Sequence, residues 1–232
     1  WFPIYFENHD RARSVDYFFP KGADKKLAAK ALAAVLFTLR GTPFIYEGEE
    51  LGMTNVAWDS IDAYDDISSH GQYALALEDG FSKEEALGFV HFNSRDNART
   101  PMQWTAERHA GFTSGTPWLP VNENYRTLNA AAEEADADSV LHFYRHLAKL
   151  RETIPALLDG VYEELLEENE QIYAFSRTLG KTRIKTAVNF STKDAALPAD
   201  FLRGTRLAGS YADAPTTSLR PLEAVIYEEE IQ

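Results

Sequence analysis

The chain has 232 residues, 44% of them hydrophobic and 25% charged, and a formal net charge of −13. This is the composition of a soluble globular protein of one large domain or two small ones, and its acidity excludes the basic surface that nucleic acid and anionic membranes require. No cysteine is present, so disulfides, thiolate chemistry and cysteine metal sites are excluded as well.

The first half reads as strand, helix, strand. Phe2–Phe6 is a short apolar and aromatic run suited to a buried parallel strand. Asp24 is placed to cap a helix carrying Leu27, Ala31, Leu32, Val35, Leu36 and Leu39 on its apolar positions. Arg40 then faces the helix C-terminal dipole, and Gly41 is placed to end the helix. The apolar run from Ala28 to Leu39 is broken by Lys30 and Thr38 and is too short to span a bilayer. Pro43–Tyr46 reads as a second buried strand, completing a parallel βαβ unit. A chain that opens at Trp1 directly into such a segment reads as a piece of a longer protein.

A long irregular stretch, Glu47–Asn129, follows, with one marked helix from Ser82 to about His91 opened by the capping box Ser82-Lys-Glu-Glu85. So long a connection inside a compact domain is usually functional. Ala130–Asp138 is an acidic, alanine-rich approach to the next helix, which runs from Asp138–Ser139 to Thr153 and is stopped by Ile154–Pro155. From Gly160 the period changes to two. Val161–Leu165, Gln171–Arg177, Arg183–Phe190, Arg206–Tyr211 and Ala224–Glu228 predict strands, with Leu179–Gly180–Lys181 as a hairpin tip. This predicts a small antiparallel β domain beginning near Pro155.

Four consecutive polar residues, Glu7-Asn8-His9-Asp10, follow the first strand. At the C-terminal end of a βα-barrel strand, such residues read as catalytic. Taken alone, Asp10 as a turn cap and His9 as a packed histidine would be the simpler account. The acidic residues Glu47, Glu49 and Glu50, and Asp59, Asp62, Asp65 and Asp66, lie on a loop with no evident burial and read as solvated or turn-capping groups. The six histidines show no metal-ligand spacing. Trp58, Trp104 and Trp118 suit either sugar stacking or core packing.

At this point a resemblance becomes specific. "FENHD" resembles the motif that closes the catalytic centre in the α-amylase clan, glycoside hydrolase family 13. "GTPFIYEGEELGMTN" is similar to that family's last barrel strand and the loop after it. "NSRDNARTPMQW" followed by "HAGFTSGTPW" is similar to a signature of its oligo-1,6-glucosidase branch, and "LRPLEAVIY" to the final strand of its C-terminal β domain. The motifs occur in the family's order along essentially the whole chain.

The resemblance implies an α/β plus all-β architecture. Residues 1–154 would be the C-terminal portion of a (β/α)8 barrel, with strands seven and eight and their helices, and 155–232 a small antiparallel β-sandwich. Asp10 falls on the family's third catalytic carboxylate, which holds two hydroxyls of the sugar being cleaved and stabilises an oxocarbenium-like transition state. His9 falls on a neighbouring hydroxyl donor. Arg99 falls on an arginine that clamps the non-reducing-end sugar, and Arg13 is a further candidate for that pocket. The family's nucleophilic aspartate and general-acid glutamate belong to strands that would precede Trp1. The chain alone is therefore expected to be inactive, since a retaining glycosidase needs two carboxyls roughly 5–5.5 Å apart.

The implied parent is a cytoplasmic, retaining exo-α-glucosidase acting on short, α-1,6-linked, isomaltose-like sugars. It needs no cofactor or metal, has no nucleic-acid or membrane partner, and the cut barrel is open to self-association. Arg11 departs from the branch, which more often has glutamine or an apolar residue there, so substrate identity stays open among trehalose-6-phosphate hydrolysis, dextran-end hydrolysis and sucrose isomerisation. Two other readings are a non-catalytic amylase-like ectodomain of a transporter subunit and a carbohydrate-binding module made of residues 155–232. Intact His9, Asp10 and Arg99 argue against the first. The second needs a row of exposed aromatics that Tyr162, Tyr173, Tyr211 and Tyr227 do not obviously form.

Overall fold

The computed structural model describes residues Trp1–Ile231. The strands are β1 (Pro3–Ile4), β2 (Thr42–Pro43), β3 (Val161–Leu165), β4 (Ile172–Leu179), β5 (Thr182–Asn189), β6 (Ala195–Ala196), β7 (Thr205–Gly209), β8 (Ser218–Leu219) and β9 (Ala224–Glu230). The helices are α1 (Ser14–Tyr17), α2 (Lys25–Thr38), α3 (Ile67–Glu78), α4 (Lys83–Asn93), α5 (Ala130–Ala135), α6 (Val140–Thr153) and α7 (Pro155–Asp159). Two compact units form, each discontinuous in sequence. One takes Trp1–Phe6, Gly22–Phe44 and the chain from His142 onward; the other takes Glu7–Lys21 and Ile45–Leu141. β1, α2, β2 and nearly all of α6 are grouped with the C-terminal sheet.

In the first unit β3, β4, β5, β9 and β7 form one antiparallel sheet in that spatial order, and β6 pairs with β8. Alternation sends Ile172, Ala174, Ala187, Val225 and Tyr227 into a core closed by Leu197, Phe201 and Leu219. Phe175 and Ile184 on the opposite face are buried as well, and α2 lies against β5 and β9 and α7 against β4 and β5. The turn Gly180–Lys181 joins β4 to β5 with Leu179 paired to Thr182, and Gly180 takes φ 59. Two-residue hairpin loops require such a left-handed position.

Asp24 caps α2 as expected, accepting from the Leu27 N–H at 3.0 Å. The other end differs from the expectation for Gly41. The last carbonyls of α2 are met by two buried guanidiniums: Arg151 Nη1 donates to Phe37 O (2.7 Å) and Leu39 O (3.0 Å), and Arg177 Nη1 donates to Thr38 O (2.9 Å). Burial pushes the Arg177 guanidinium down to about 10, which leaves it charged at neutral pH. Gly41 instead solves a steric problem: at φ 137, a Cβ there would stand 2.6 Å from the Phe2 carbonyl.

β1 and β2 pair in parallel, Pro3 with Thr42 and Ile4 with Pro43, but each is two residues long and neither is buried as expected. Phe2 is 81% exposed, and Tyr5, Phe44 and Ile45 are exposed too. No further strand of the described chain joins this sheet, so each strand has one open edge, and within the two strands only Ile4 and Pro43 are half-buried.

The second unit carries the polar segment after β1 and the long connection. The capping box at α4 forms as predicted, with Ser82 Oγ accepting from the Glu85 N–H and Glu85 accepting from the Ser82 N–H. Three of its helices were not expected: the one-turn α1, α3 and α5. α3 is capped by Asp66 and buries Ser69 and Ala76, so its sequence carries no apolar stripe to read. α5, capped by Asn129, lies in the alanine-rich approach segment. Small apolar clusters, such as Leu51, Met53 and Met102, and Val56, Tyr64 and Val90, anchor the rest. No helix among the described residues is long and apolar enough to cross a membrane.

Candidate active site

The segment after β1 turns sharply because Asn8 Oδ1 accepts from the Asp10 N–H at 2.8 Å. Its four polar residues then divide. Glu7 points inward: it is buried, pairs with Arg13 Nη1 at 2.9 Å, and accepts from both the N–H and the hydroxyl of Ser14. Asp10 points outward, with a side chain 51% exposed. His9 Nε2 lies 3.3 Å from Asp10 Oδ2.

Across from them a single 3-10 turn, Arg95–Ala98, opened by Ser94 Oγ accepting from the Asp96 N–H, presents two arginines. Arg99 Nη2 reaches Asp10 Oδ1 at 3.0 Å and its Nε donates to the His9 carbonyl at 2.9 Å. Arg95 Nη1 lies 3.5 Å from the same Asp10 oxygen. The main partner of Arg95 is Asp66, which accepts from Nε at 3.0 Å and from Nη2. These bonds hold the Asp66 carboxyl below the usual range and raise Arg95. Thus three of the four predicted site residues, His9, Asp10 and Arg99, come together from positions about ninety residues apart.

The fourth, Arg13, has a different place. It is 1% exposed, and its donors go to Glu7, to the Glu47 carbonyl (2.8 Å) and to the Asn97 carbonyl (3.2 Å). It stacks over the Tyr46 ring with 5.5 Å to the centroid. Arg13, Tyr46 and Arg99 line a cavity of about 250 Å³, along with Phe112 and Trp118. Burial raises the Tyr46 phenol, whose hydroxyl donates to the Ala98 carbonyl. Arg13 is therefore a wall of this cavity with its hydrogen bonds already spent, while Arg99 joins the cavity to Asp10.

The loop carboxylates are less solvated than the sequence suggests. Glu49 is buried and accepts from the Tyr46 N–H; Glu50 accepts from the Gly48 N–H, and desolvation raises its pKa. Both cap the tight turn at Gly48, so the turn-capping expectation fits while the expectation of no burial does not. Asp66 is buried too, whereas Asp59, Asp62 and Asp65 are exposed. Trp58 packs against Tyr64 at 4.7 Å between centroids, and Trp104 and Trp118 are exposed, Trp118 to 69%. Sequence reasoning did not single out Arg95 or Asp96, and it read Asp66 only as a solvated or turn-capping group, of which the capping of α3 is observed. The available signal was that Arg95 and Asp96 lie inside the motif that also holds Arg99.

A family model described as "Alpha amylase, catalytic domain" matches residues 1–160. The chain belongs to the alpha-amylase family. It is 48% identical over 177 residues to a probable oligo-1,6-glucosidase 3 of Bacillus subtilis (strain 168), covering 76% of this chain and 32% of that protein. It is 40% identical to an oligo-1,6-glucosidase of Parageobacillus thermoglucosidasius over 98% of this chain and 42% of the relative. Among solved structures, a trehalose-6-phosphate hydrolase of Bacillus licheniformis superposes with a TM-score of 0.92 at 36% identity, covering 98% of this chain and 43% of that one. The chain thus spans about two-fifths of the length of these relatives. Over that length it has the alpha-amylase-type fold, with its five-stranded antiparallel sheet at the C-terminal end.

Proposed function

We propose that this chain is part of a retaining exo-α-glucosidase that hydrolyses short, α-1,6-linked, isomaltose-like glucosides in the cytoplasm. In that reading residues 1–154 are the last portion of a (β/α)8 barrel and residues 155–232 a C-terminal β-sandwich. The observation that carries it is the meeting of Asp10, His9 and Arg99 beside an aromatic-lined cavity. An exposed carboxylate can accept two sugar hydroxyls, and those bonds strengthen as the ring flattens toward an oxocarbenium ion. The His9 imidazole supplies a hydroxyl donor. Arg99 orients the carboxylate and lends its guanidinium to the same sugar, while Arg13 keeps the cavity wall in place.

Asp10 pairs with Arg95 and Arg99, and His9 Nε2 stands beside it. Such a cluster can bind and polarise a sugar, yet it holds no pair of carboxyls to attack and protonate the bond, so the chain alone is inactive on isomaltose and on p-nitrophenyl α-glucoside. Its exposed Phe2, Tyr5, Phe44 and Ile45 and the open edges of β1 and β2 favour self-association, seen as a dimer or larger species on gel filtration.

The test uses the full-length parent. Asp10→Asn should lower kcat roughly 10²–10³-fold, the size of one lost preorganised electrostatic contact, and Arg99→Ala should chiefly raise KM. An unchanged kcat in Asp10→Asn, with a lower unfolding midpoint, would make Asp10 a structural cap and end this reading. The likeness to a trehalose-6-phosphate hydrolase favours a second substrate. Faster turnover of trehalose 6-phosphate than of isomaltose would select it.

A further inference from the structure

Asp96 stands in the same 3-10 turn as Arg95 and is fully buried. Its two carboxylate oxygens differ. Oδ2 accepts from the backbone N–H of Asp65 at 2.8 Å and of Asp66 at 2.9 Å. Oδ1 is buried and accepts no hydrogen bond, and Arg99 Nη1 stands 3.8 Å from it. A buried carboxylate oxygen without a donor is costly unless an opposite charge faces it. The guanidinium that faces it is the one whose other nitrogens hold Asp10 and the His9 carbonyl.

We infer that Asp96 is a positioning residue of the sugar site, anchoring the back of the Arg99 guanidinium so that its front edge meets Asp10. This inference rests on the assignment of Asp10 and Arg99 to that site. The planar fork of arginine makes the arrangement possible: Nη1 faces the buried carboxylate, Nη2 the exposed one, and Nε a carbonyl. A lysine at position 99 would have one nitrogen for three directions. Arg95 repeats the pattern, with its main bonds on buried Asp66 and a longer reach to Asp10. Asp10 is thus faced by two cations, each backed by a buried carboxylate, and the charges alternate along Asp66, Arg95, Asp10, Arg99 and Asp96.

Tyr64 offers a competing role for Asp96. Its hydroxyl is buried without a partner, and its pKa is pushed up to about 12 by burial first and by the Asp96 charge to a smaller extent. The two roles separate by mutation. In the full-length parent, Asp96→Asn keeps a carbonyl oxygen for the Asp65 and Asp66 N–H groups and removes the charge facing Arg99. KM for isomaltose and the inhibition constant of glucose should each rise about tenfold, the size of one charge-assisted contact. The melting midpoint should stay near that of the unaltered enzyme. In the double variant Asp96→Asn with Arg99→Ala, KM should match that of Arg99→Ala alone, because both changes break one contact. Tyr64→Phe should leave KM unchanged.

An unchanged KM in Asp96→Asn, additive effects in the double variant, or a Tyr64→Phe enzyme that reproduces Asp96→Asn would each overturn the inference. If Asp96→Asn does not fold, Asp96→Glu moves the charge by one methylene and gives the same reading: a raised KM supports the role, an unchanged one overturns it. A normal kcat in Asp10→Asn would remove the underlying site assignment. A normal KM in Asp96→Asn beside an inactive Asp10→Asn removes only the role of Asp96.

Discussion

Between Val161 and Glu230 the backbone largely satisfies itself, with five strands exchanging N–H···O bonds along their ladders. Between Ile45 and Asn129, outside α3, α4 and the short 3-10 turns, many of the same backbone groups are met one at a time by side chains. Asn97 Oδ1 accepts from the Val56 N–H and its Nδ2 donates to the His91 carbonyl; Asn122 donates to the Thr54 carbonyl; Gln103 donates to the Leu128 carbonyl; Asp96 accepts from two successive N–H groups. A ladder is generic, since many sequences with period-two patterning could occupy it. A loop tied by single amides and carboxylates depends on particular residues at particular positions. In this chain the candidate site belongs to the second kind of region, where the turn that presents Arg99 is itself held by Ser94, Asp96 and Asn97.

Point substitutions test this contrast. The largest effect is expected in the sheet-bearing unit, at a place where it too depends on a side chain. Arg177 Nη1 donates to the carbonyls of Thr38 and Leu157, Nε to Gly160 and Nη2 to Leu158. Arg177→Ala leaves the buried carbonyls of Thr38, Leu157 and Gly160 without this donor and should cost about 3 kcal/mol or more. Urea unfolding of the chain reads this directly, and a cost below 1 kcal/mol would show that water replaces the guanidinium.

Next is Asn97→Ala, which removes one buried and one part-buried side-chain hydrogen bond and should cost about 2 kcal/mol. Hydrogen exchange should quicken in residues 54–58 and 91–99 while β4, β5 and β9 keep their protection. Uniform loosening across both regions would erase the distinction between them. Gly180→Ala is smaller. A Cβ there meets nothing within 4 Å, so only the left-handed backbone is penalised, by about 1 kcal/mol. A neutral result would mean that the hairpin shifts to another turn type without strain.

The smallest effects come from pH, and they oppose each other. Arg95 holds the Asp66 carboxyl below its ordinary value. Ionised Asp66 therefore favours folding above the unfolded pKa of about 3.9, and this is lost as pH falls through the lower folded value. Burial raises Glu50, so its ionisation opposes folding above the raised value, and the penalty is relieved as pH falls toward about 4.3. Asp66→Asn should lower the melting midpoint at pH 7 by an amount that fades in acid. Glu50→Gln should raise it at pH 7, again fading in acid. The same sign for both would contradict the environments described here. Because Arg95 is partly exposed, the Asp66 effect is screened by solvent and stays small.

Much of the C-terminal sheet was legible beforehand. Its strand positions follow from alternation, and Gly180 marks its hairpin, because a half-buried ladder writes its period into the chain. The caps at Asp24 and Ser82 were legible for a similar reason, since a capping bond spans three residues. α3 was not legible because it buries little, and a helix without an apolar stripe leaves no periodic trace.

The same division runs through the candidate site. Glu7-Asn8-His9-Asp10 and the segment around Arg99 are marked as candidates locally, by polar residues following an apolar strand and by motifs that resemble one family. Which of these residues face solvent was decided by tertiary structure alone. Glu7 and Asp10 are both acids three positions apart, yet one is buried against Arg13 and the other is open beside Arg99. Arg13 and Arg99 are equally basic, yet one is spent on carbonyls inside and the other reaches the exposed carboxylate. The physical reason is distance along the chain. The partners that sort Arg13 and Asp10, namely Glu47, Asn97 and Arg99, lie tens of residues away, and no local pattern encodes a contact made across such a separation.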